Sequence, residues 1–92
     1  MRKLVVLDLS SANIDLFESY ERKVIPLLSK YEGKLELSVR SVDGTTETHV
    51  LYFSDNLRFE GFLSDPSRVA LKDNWARSVV VSAISDVEQV SY

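Results

Sequence analysis

The stretch LELSVRSVDGTTETHVLYF, residues 35–53, decides the fold. Its first half alternates, with Leu35, Leu37 and Val39 interleaved among Glu36, Ser38 and Arg40. A period of two marks a strand with two unlike faces. Asp43-Gly44 follows, a dipeptide suited to a tight hairpin turn. The return strand runs from about Glu47 to Phe53. With a two-residue turn at Asp43-Gly44, Arg40 pairs with Glu47 and Ser38 with His49, and Glu36 lies opposite Leu51. The side chains of Glu36, Ser38, Arg40, Glu47 and His49 then share one face. Leu35, Leu37, Val39, Val50 and Tyr52 share the other, which is expected to meet the helices.

A helix is expected on each side of this hairpin. Before it, Leu16, Phe17, Tyr20, Val24, Leu27, Leu28 and Tyr31 recur at helical spacing and form one apolar stripe. Asn13 or Asp15 caps this helix, and Asp15 with Glu18 has capping-box spacing. Pro26 falls inside the pattern and predicts a kink, and Gly33 suits the C-terminal cap. After the hairpin a second helix begins near Ser54–Asn56. Asp65-Pro66 divides it, because that pair fits a fresh helix start. Its second piece ends near Trp75. Apolar, β-prone segments stand at both ends: Leu4 to Leu9, and a last strand opened by Val79-Val80-Val81 and ending near Val87.

The order is βαββαβ, the split-βαβ or ferredoxin-like arrangement: an α+β domain over residues 1–92, with a four-stranded antiparallel sheet and two helices on one face. Two helices cover only one face of such a sheet. Yet Leu4-Val5-Val6-Leu7 and Val79-Val80-Val81 are apolar on both faces, a pattern of strands covered on both sides. A second copy packed through the sheet face is the economical cover. The expected assembly is therefore a homodimer, a dimeric α/β barrel.

Composition narrows the function. The chain has no cysteine, which removes disulfides, thiolate zinc sites and cysteine nucleophiles, and fits a cytoplasmic protein. Net charge is −3, with basic residues scattered among acidic ones rather than set in the basic stripe of nucleic-acid binders. The apolar run after Met1-Arg2-Lys3 stops at Asp8, too short for a signal-peptide core, and no segment has the length of a membrane span. Nucleic acid and membrane are not expected partners. Glycine-rich nucleotide loops, the serine-hydrolase elbow and the zincin and EF-hand patterns are missing from the sequence.

Three stretches resemble a known superfamily: Phe17-Glu18-Ser19-Tyr20 through Pro26 to Tyr31-Glu32-Gly33-Lys34, His49-Val50-Leu51-Tyr52-Phe53, and Phe62-Leu63-Ser64-Asp65-Pro66. The chain is similar to the dimeric α/β-barrel proteins, which include antibiotic-biosynthesis monooxygenases and stress-responsive A/B-barrel proteins. It looks most like a group of small stand-alone bacterial proteins of uncharacterised function. The resemblance implies a cleft or barrel between helices and sheets that holds a small organic molecule. It does not imply one chemistry, because members include oxygenases, isomerases and haem enzymes. The extra haem-binding histidine is missing, and Tyr52 stands where the most similar group usually has an acidic residue before the Phe of its third strand.

The candidate site follows from the hairpin. His49, the only histidine, could act as general acid or base, and Arg40 could hold a carbonyl or an anion. Glu36, Ser38 and Glu47 share their face. The alternative is a solvated hairpin face with an Arg40–Glu47 ion pair and no role beyond that. Trp75 either lines a pocket for a flat aromatic molecule or fills the core or dimer interface. Asp8 interrupts the first strand on the side away from Val5, Leu7 and Leu9 and would need a partner there. No metal site is expected, since a lone histidine with scattered carboxylates lacks ligand spacing, and no tightly held cofactor is expected. Three functions are compatible with these residues. One is a homodimer that binds a small organic ligand, and another is a cofactor-independent monooxygenase or isomerase acting on an aromatic or carbonyl compound. The third is an interaction module without a ligand.

Overall fold

The computed structural model describes residues 1–92. Its elements are β1 (Arg2–Asp8), α1 (Ile14–Val24), a 3-10 segment (Ile25–Tyr31), β2 (Lys34–Arg40), β3 (Thr46–Tyr52), α2 (Asn56–Leu63), α3 (Pro66–Val69), α4 (Lys72–Ser78) and β4 (Val81–Val87). The strands form one antiparallel sheet in the order β2-β3-β1-β4. All helices lie on one side of it, which is the ferredoxin-like arrangement. The molecule is a slab of 37 × 33 × 17 Å, the thickness of a sheet plus one helical layer.

Local chemistry explains the helix ends. The Asn13 side chain accepts a hydrogen bond from the Leu16 N–H at 3.2 Å, so Asn13 rather than Asp15 is the cap. α1 stops at Val24 because Pro26 has no N–H to donate back along the helix. The chain continues as the 3-10 segment with Pro26 in its first turn. That segment ends at Glu32, which is left-handed at φ 56°, while Gly33 follows and donates to the Leu28 carbonyl at 2.9 Å. Gly33 is needed for a different reason from the one expected. A Cβ there would stand 2.7 Å from the Phe53 ring. The division at Asp65-Pro66 is present, and a further break before Lys72 makes three short helices. Val79 does not open the last strand. It ends α4 at φ 57°, and β4 begins at Val81.

The hairpin register agrees with the expected one near its turn and departs from it further away. Arg40 pairs with Glu47 and Ser38 with His49. The loop holds four residues between Ser41 and Thr46, with Gly44 N–H on the Ser41 carbonyl at 2.9 Å and Gly44 at φ 77°. Residues 43 and 44 remain its midpoint, so the pairing is unchanged. Beyond Leu37 a bulge at Glu36 shifts the register, and Leu51 faces Leu35 instead of Glu36. An extra residue in one strand inverts which face the following side chains take.

The faces are the reverse of those expected. Glu47, His49 and Leu51 are buried toward the helices. Leu37 and Val39 stand on the opposite, open face, 48% and 50% exposed. Only Leu35 reaches the helix side as expected, where it packs on the core, because the bulge turned it over. The core has two parts. Tyr20, Val24, Leu28, Leu51, Phe53, Phe59 and Phe62 form one, and Leu7, Leu9 and Phe17 the other. Val5 and Trp75 touch both.

Candidate functional site

A cleft of about 230 Å³ opens between sheet and helices where the two core clusters meet. Its sheet side carries Val5, His49, Leu51 and Ile84. Its helix side carries Tyr20, Glu21 and Val24 of α1, Phe62 of α2, Arg68 of α3 and Trp75 of α4. The helices stop short of β4, so Ile84 on that strand's helix side is 53% exposed and the cleft stays open there. The lining is mostly apolar with a few polar groups, the usual composition of a small-molecule site.

His49 and Glu47 sit two apart on β3 and therefore point the same way. Glu47 Oε2 lies 2.7 Å from His49 Nε2, and Glu47 Oε1 accepts from Arg40 Nε at 2.7 Å. A carboxylate only accepts, so the Nε2 nitrogen carries the proton. In the neutral ring the lone pair is then on Nδ1, which bonds to no protein group. Arg40 also reaches Glu18 of α1 at 3.4 Å, and its guanidinium is held more strongly protonated by the Glu47 bond. Arg40 does not line the main cleft. With Glu18, Glu21, Arg22 and Glu47 it borders a smaller polar recess.

Glu21 borders both spaces and has no hydrogen-bond or ion-pair partner in the protein. Burial pushes its carboxyl above the usual carboxylate range, opposed by the charge of His49, reinforced by Glu47 and opposed again by Arg68. Arg68 lies with its guanidinium 5.5 Å from the centre of the Phe62 ring, and Nη1 donates to the Leu63 carbonyl at 3.0 Å. Trp75 packs at a tilt against Tyr20 and Phe17, with ring centres 5.0 Å and 6.3 Å apart, so it both packs the core and borders the cleft.

Arg68 is aimed by a buried strut. Asp65 caps α3, accepting from the Ser67 N–H at 2.8 Å and the Arg68 N–H at 3.4 Å. Its other oxygen accepts from Lys30 Nζ at 2.7 Å and the Tyr31 hydroxyl at 2.5 Å. These bonds hold its carboxyl well below the usual range, those from Lys30 and Tyr31 most. The strut ties α3 to the 3-10 segment.

The structure thus brings together His49, Glu47 and, behind them, Arg40, and places Trp75 in the cleft wall. The other candidates make no side-chain hydrogen bond to that group. Glu36 is on the bulge and pairs with Arg2 Nε at 2.7 Å, on the open face. Ser38 is exposed on the edge strand β2 and makes no side-chain hydrogen bond. Asp8 is exposed on the open face, where its carboxylate accepts from the Ser10 N–H and hydroxyl. Glu21 and Arg68 were missed. Glu21 had a signal, since it lies four residues after Phe17 and so interrupts the apolar stripe of α1 with a carboxylate. Arg68 had none beyond its place in a helix started by Asp65-Pro66.

The sequence matches no family model and no curated protein. Solved structures do match. Protein Atu4242 from Agrobacterium tumefaciens is 17% identical, with a TM-score of 0.69 over 99% of this chain and 97% of that one. SnoaB, a cofactor-independent oxygenase from Streptomyces nogalater, is 14% identical, with a TM-score of 0.71 over 97% and 93%. A candidate antibiotic biosynthesis monooxygenase from Nitrosomonas europaea is 13% identical, with a TM-score of 0.64 over 95% and 98%. Likeness at these identities extends to the fold alone. On that ground the chain has the ferredoxin-like fold that these proteins share, as its sequence implied.

Proposed function

We propose that the protein is a homodimer, paired through the open faces of its sheets, in which each protomer binds a small organic molecule in the cleft. The observation that carries the ligand half is the cleft itself. It is mostly apolar, about 230 Å³ in volume, and His49, Glu21 and Arg68 converge on it. An apolar cavity of about 150 Å³ accommodates benzene, so this one suits a single ring with a short substituent.

The open face supports the dimer half. Leu4 and Val6 of β1, Leu37 and Val39 of β2, Val50 of β3 and Val81 of β4 lie on it. Its charged groups are few, and one pair, Arg2–Glu36, neutralises itself. Only 15 of 92 residues are buried in the single protomer, a thin core even for a small domain. A second copy of the same flat apolar face matches it in extent and character. A location in the cytoplasm accords with the cysteine-free chain.

A second reading has its own support in the His49–Glu47 pair. In it the protein is a cofactor-independent oxygenase or isomerase. His49 Nδ1 takes a proton from a carbon next to a carbonyl, and Glu47 steadies the imidazolium. SnoaB performs cofactor-independent oxygenation on the same fold.

The test is a crystal structure of protein expressed without added ligand, together with light scattering at micromolar concentration. The expected result is a dimer mass, sheets packed face to face, and non-protein density in the cleft. A folded monomer would overturn the dimer, and a cleft filled by side chains in the dimer would overturn the ligand.

A further inference from the structure

Arg68 forms no ion pair in the protein, although its charge acts on the Glu21 carboxyl. No carboxylate lies within 4 Å of its guanidinium. Nη1 is taken by the Leu63 carbonyl. Nε is closed off from solvent with no acceptor, and Nη2 has no protein partner. The Nε and Nη2 hydrogens form one edge of the planar fork, the edge that takes a carboxylate through two parallel bonds. The face of the same fork lies against Phe62, and α3 is anchored through Asp65 to Lys30 and Tyr31. A buried donor left unpaired is destabilising, and a guanidinium in a cleft wall with two donors unpaired suits an oxyanion that reaches them.

We propose that the ligand of the cleft is a small monocyclic carboxylic acid. Its carboxylate takes the Nε/Nη2 edge of Arg68, and its ring lies between Tyr20, Val24 and Trp75 on one side and Val5 and Leu51 on the other. This rests on the ligand-binding reading of the cleft and adds the class of ligand to it. Nε is closed to solvent, so docking on both nitrogens includes a small turn of the guanidinium on its flexible side chain. Glu21 fits the same ligand. Burial raises the pKa of its carboxyl, with His49 and Arg68 acting against the shift, and in its protonated form that carboxyl donates a hydrogen bond to a carboxylate instead of repelling it.

Trp75, the only tryptophan, lines the cleft and reports occupancy through its indole N–H resonance. Three probes of one shape are titrated against the whole chain: benzoate, benzamide and benzyl alcohol. Benzoate is expected to bind roughly tenfold or more tightly than the neutral pair, the range of a charge-assisted hydrogen bond. Arg68→Gln is expected to remove that preference while leaving benzamide binding in place, which also shows that the variant's cleft is formed. Arg68→Lys keeps the charge without the fork and is expected to recover only part of it. Equal binding of benzoate and benzamide, or an Arg68→Gln variant that still prefers benzoate, overturns the carboxylate proposal and leaves the ligand-binding reading standing. If none of the three moves the Trp75 resonance at millimolar concentration, both fall.

Discussion

Glu47 holds His49 and Arg40 at the same time, one on each carboxylate oxygen and each at 2.7 Å. The carboxylate and the imidazole are both buried under the helical layer, while the guanidinium reaches out past Glu18 toward solvent. Glu47 therefore fixes the tautomer of His49 and links the cleft to the surface of the hairpin.

Replacing Glu47 by Gln should release one of its two partners. The amide can accept from only one of them, and the buried imidazole then lacks a fixed orientation. We expect a loss of about 1–2 kcal/mol, read from urea unfolding midpoints with an unchanged m-value. Unchanged stability would mean that the hydrogen bonds to Glu47 add nothing beyond those of an amide.

Glu21 gives a pH-dependent prediction of the opposite sign. Its folded pKa is raised, so the folded state binds a proton more tightly than the unfolded chain. The protein therefore pays no penalty for Glu21 below its unfolded pKa, and loses stability as pH rises through the folded one. Glu21→Gln removes the ionised form. We expect a higher melting temperature than the wild type at pH 7 and no difference below about pH 4, near the ordinary carboxylate pKa. A variant that is less stable at pH 7 would show that the charges of His49 and Arg68 outweigh the burial of Glu21.

Asp65 runs the other way. Its folded pKa is depressed, so its contribution is present above the unfolded carboxylate pKa and is lost as pH falls below it. Asp65→Asn should lower the melting temperature at pH 7, and the gap should narrow steadily as the pH drops below about 4. The same variant loosens α3 and so should weaken benzoate binding more than benzamide binding. A pH-independent gap would point to packing alone.

The open face is tested with Val6→Lys and Val39→Asp. Both positions are exposed in the protomer, so neither change should unfold it, and surface substitutions of this kind cost within about 0.5 kcal/mol. In a face-to-face dimer each buries an unpaired charge. Light scattering should then report the monomer mass, with the circular dichroism spectrum retained. A persistent dimer would move the interface elsewhere.

Much of the architecture could be read along the chain because the signals are local. The stripe Phe17, Tyr20, Val24 and Leu28 is set by helical spacing. The break at Pro26 follows from a missing N–H, and the pairing of Arg40 with Glu47 and Ser38 with His49 follows from the Asp43-Gly44 midpoint. Those elements, their order and hence the ferredoxin-like sheet were determined by the sequence itself. The candidate site was legible only in part. Glu47, His49 and Trp75 were picked out by residue type, but their side of the sheet was not. Alternation says that two faces differ; it does not say which one the helices cover. The usual guess puts the apolar set, Leu37, Val39 and Val50, under the helices. Here that set is on the open face, and the helices cover Glu47 and His49 instead. The bulge at Glu36, which removed that residue from the set, had no local signature. Arg68 reached the cleft only through the Asp65 strut to Lys30 and Tyr31, residues more than thirty positions away in the chain. The sequence determined which segments become helix and strand, because short-range sterics and periodicity decide that. The tertiary structure decided which face of the hairpin became the site, because that depends on where distant helices settle on the sheet.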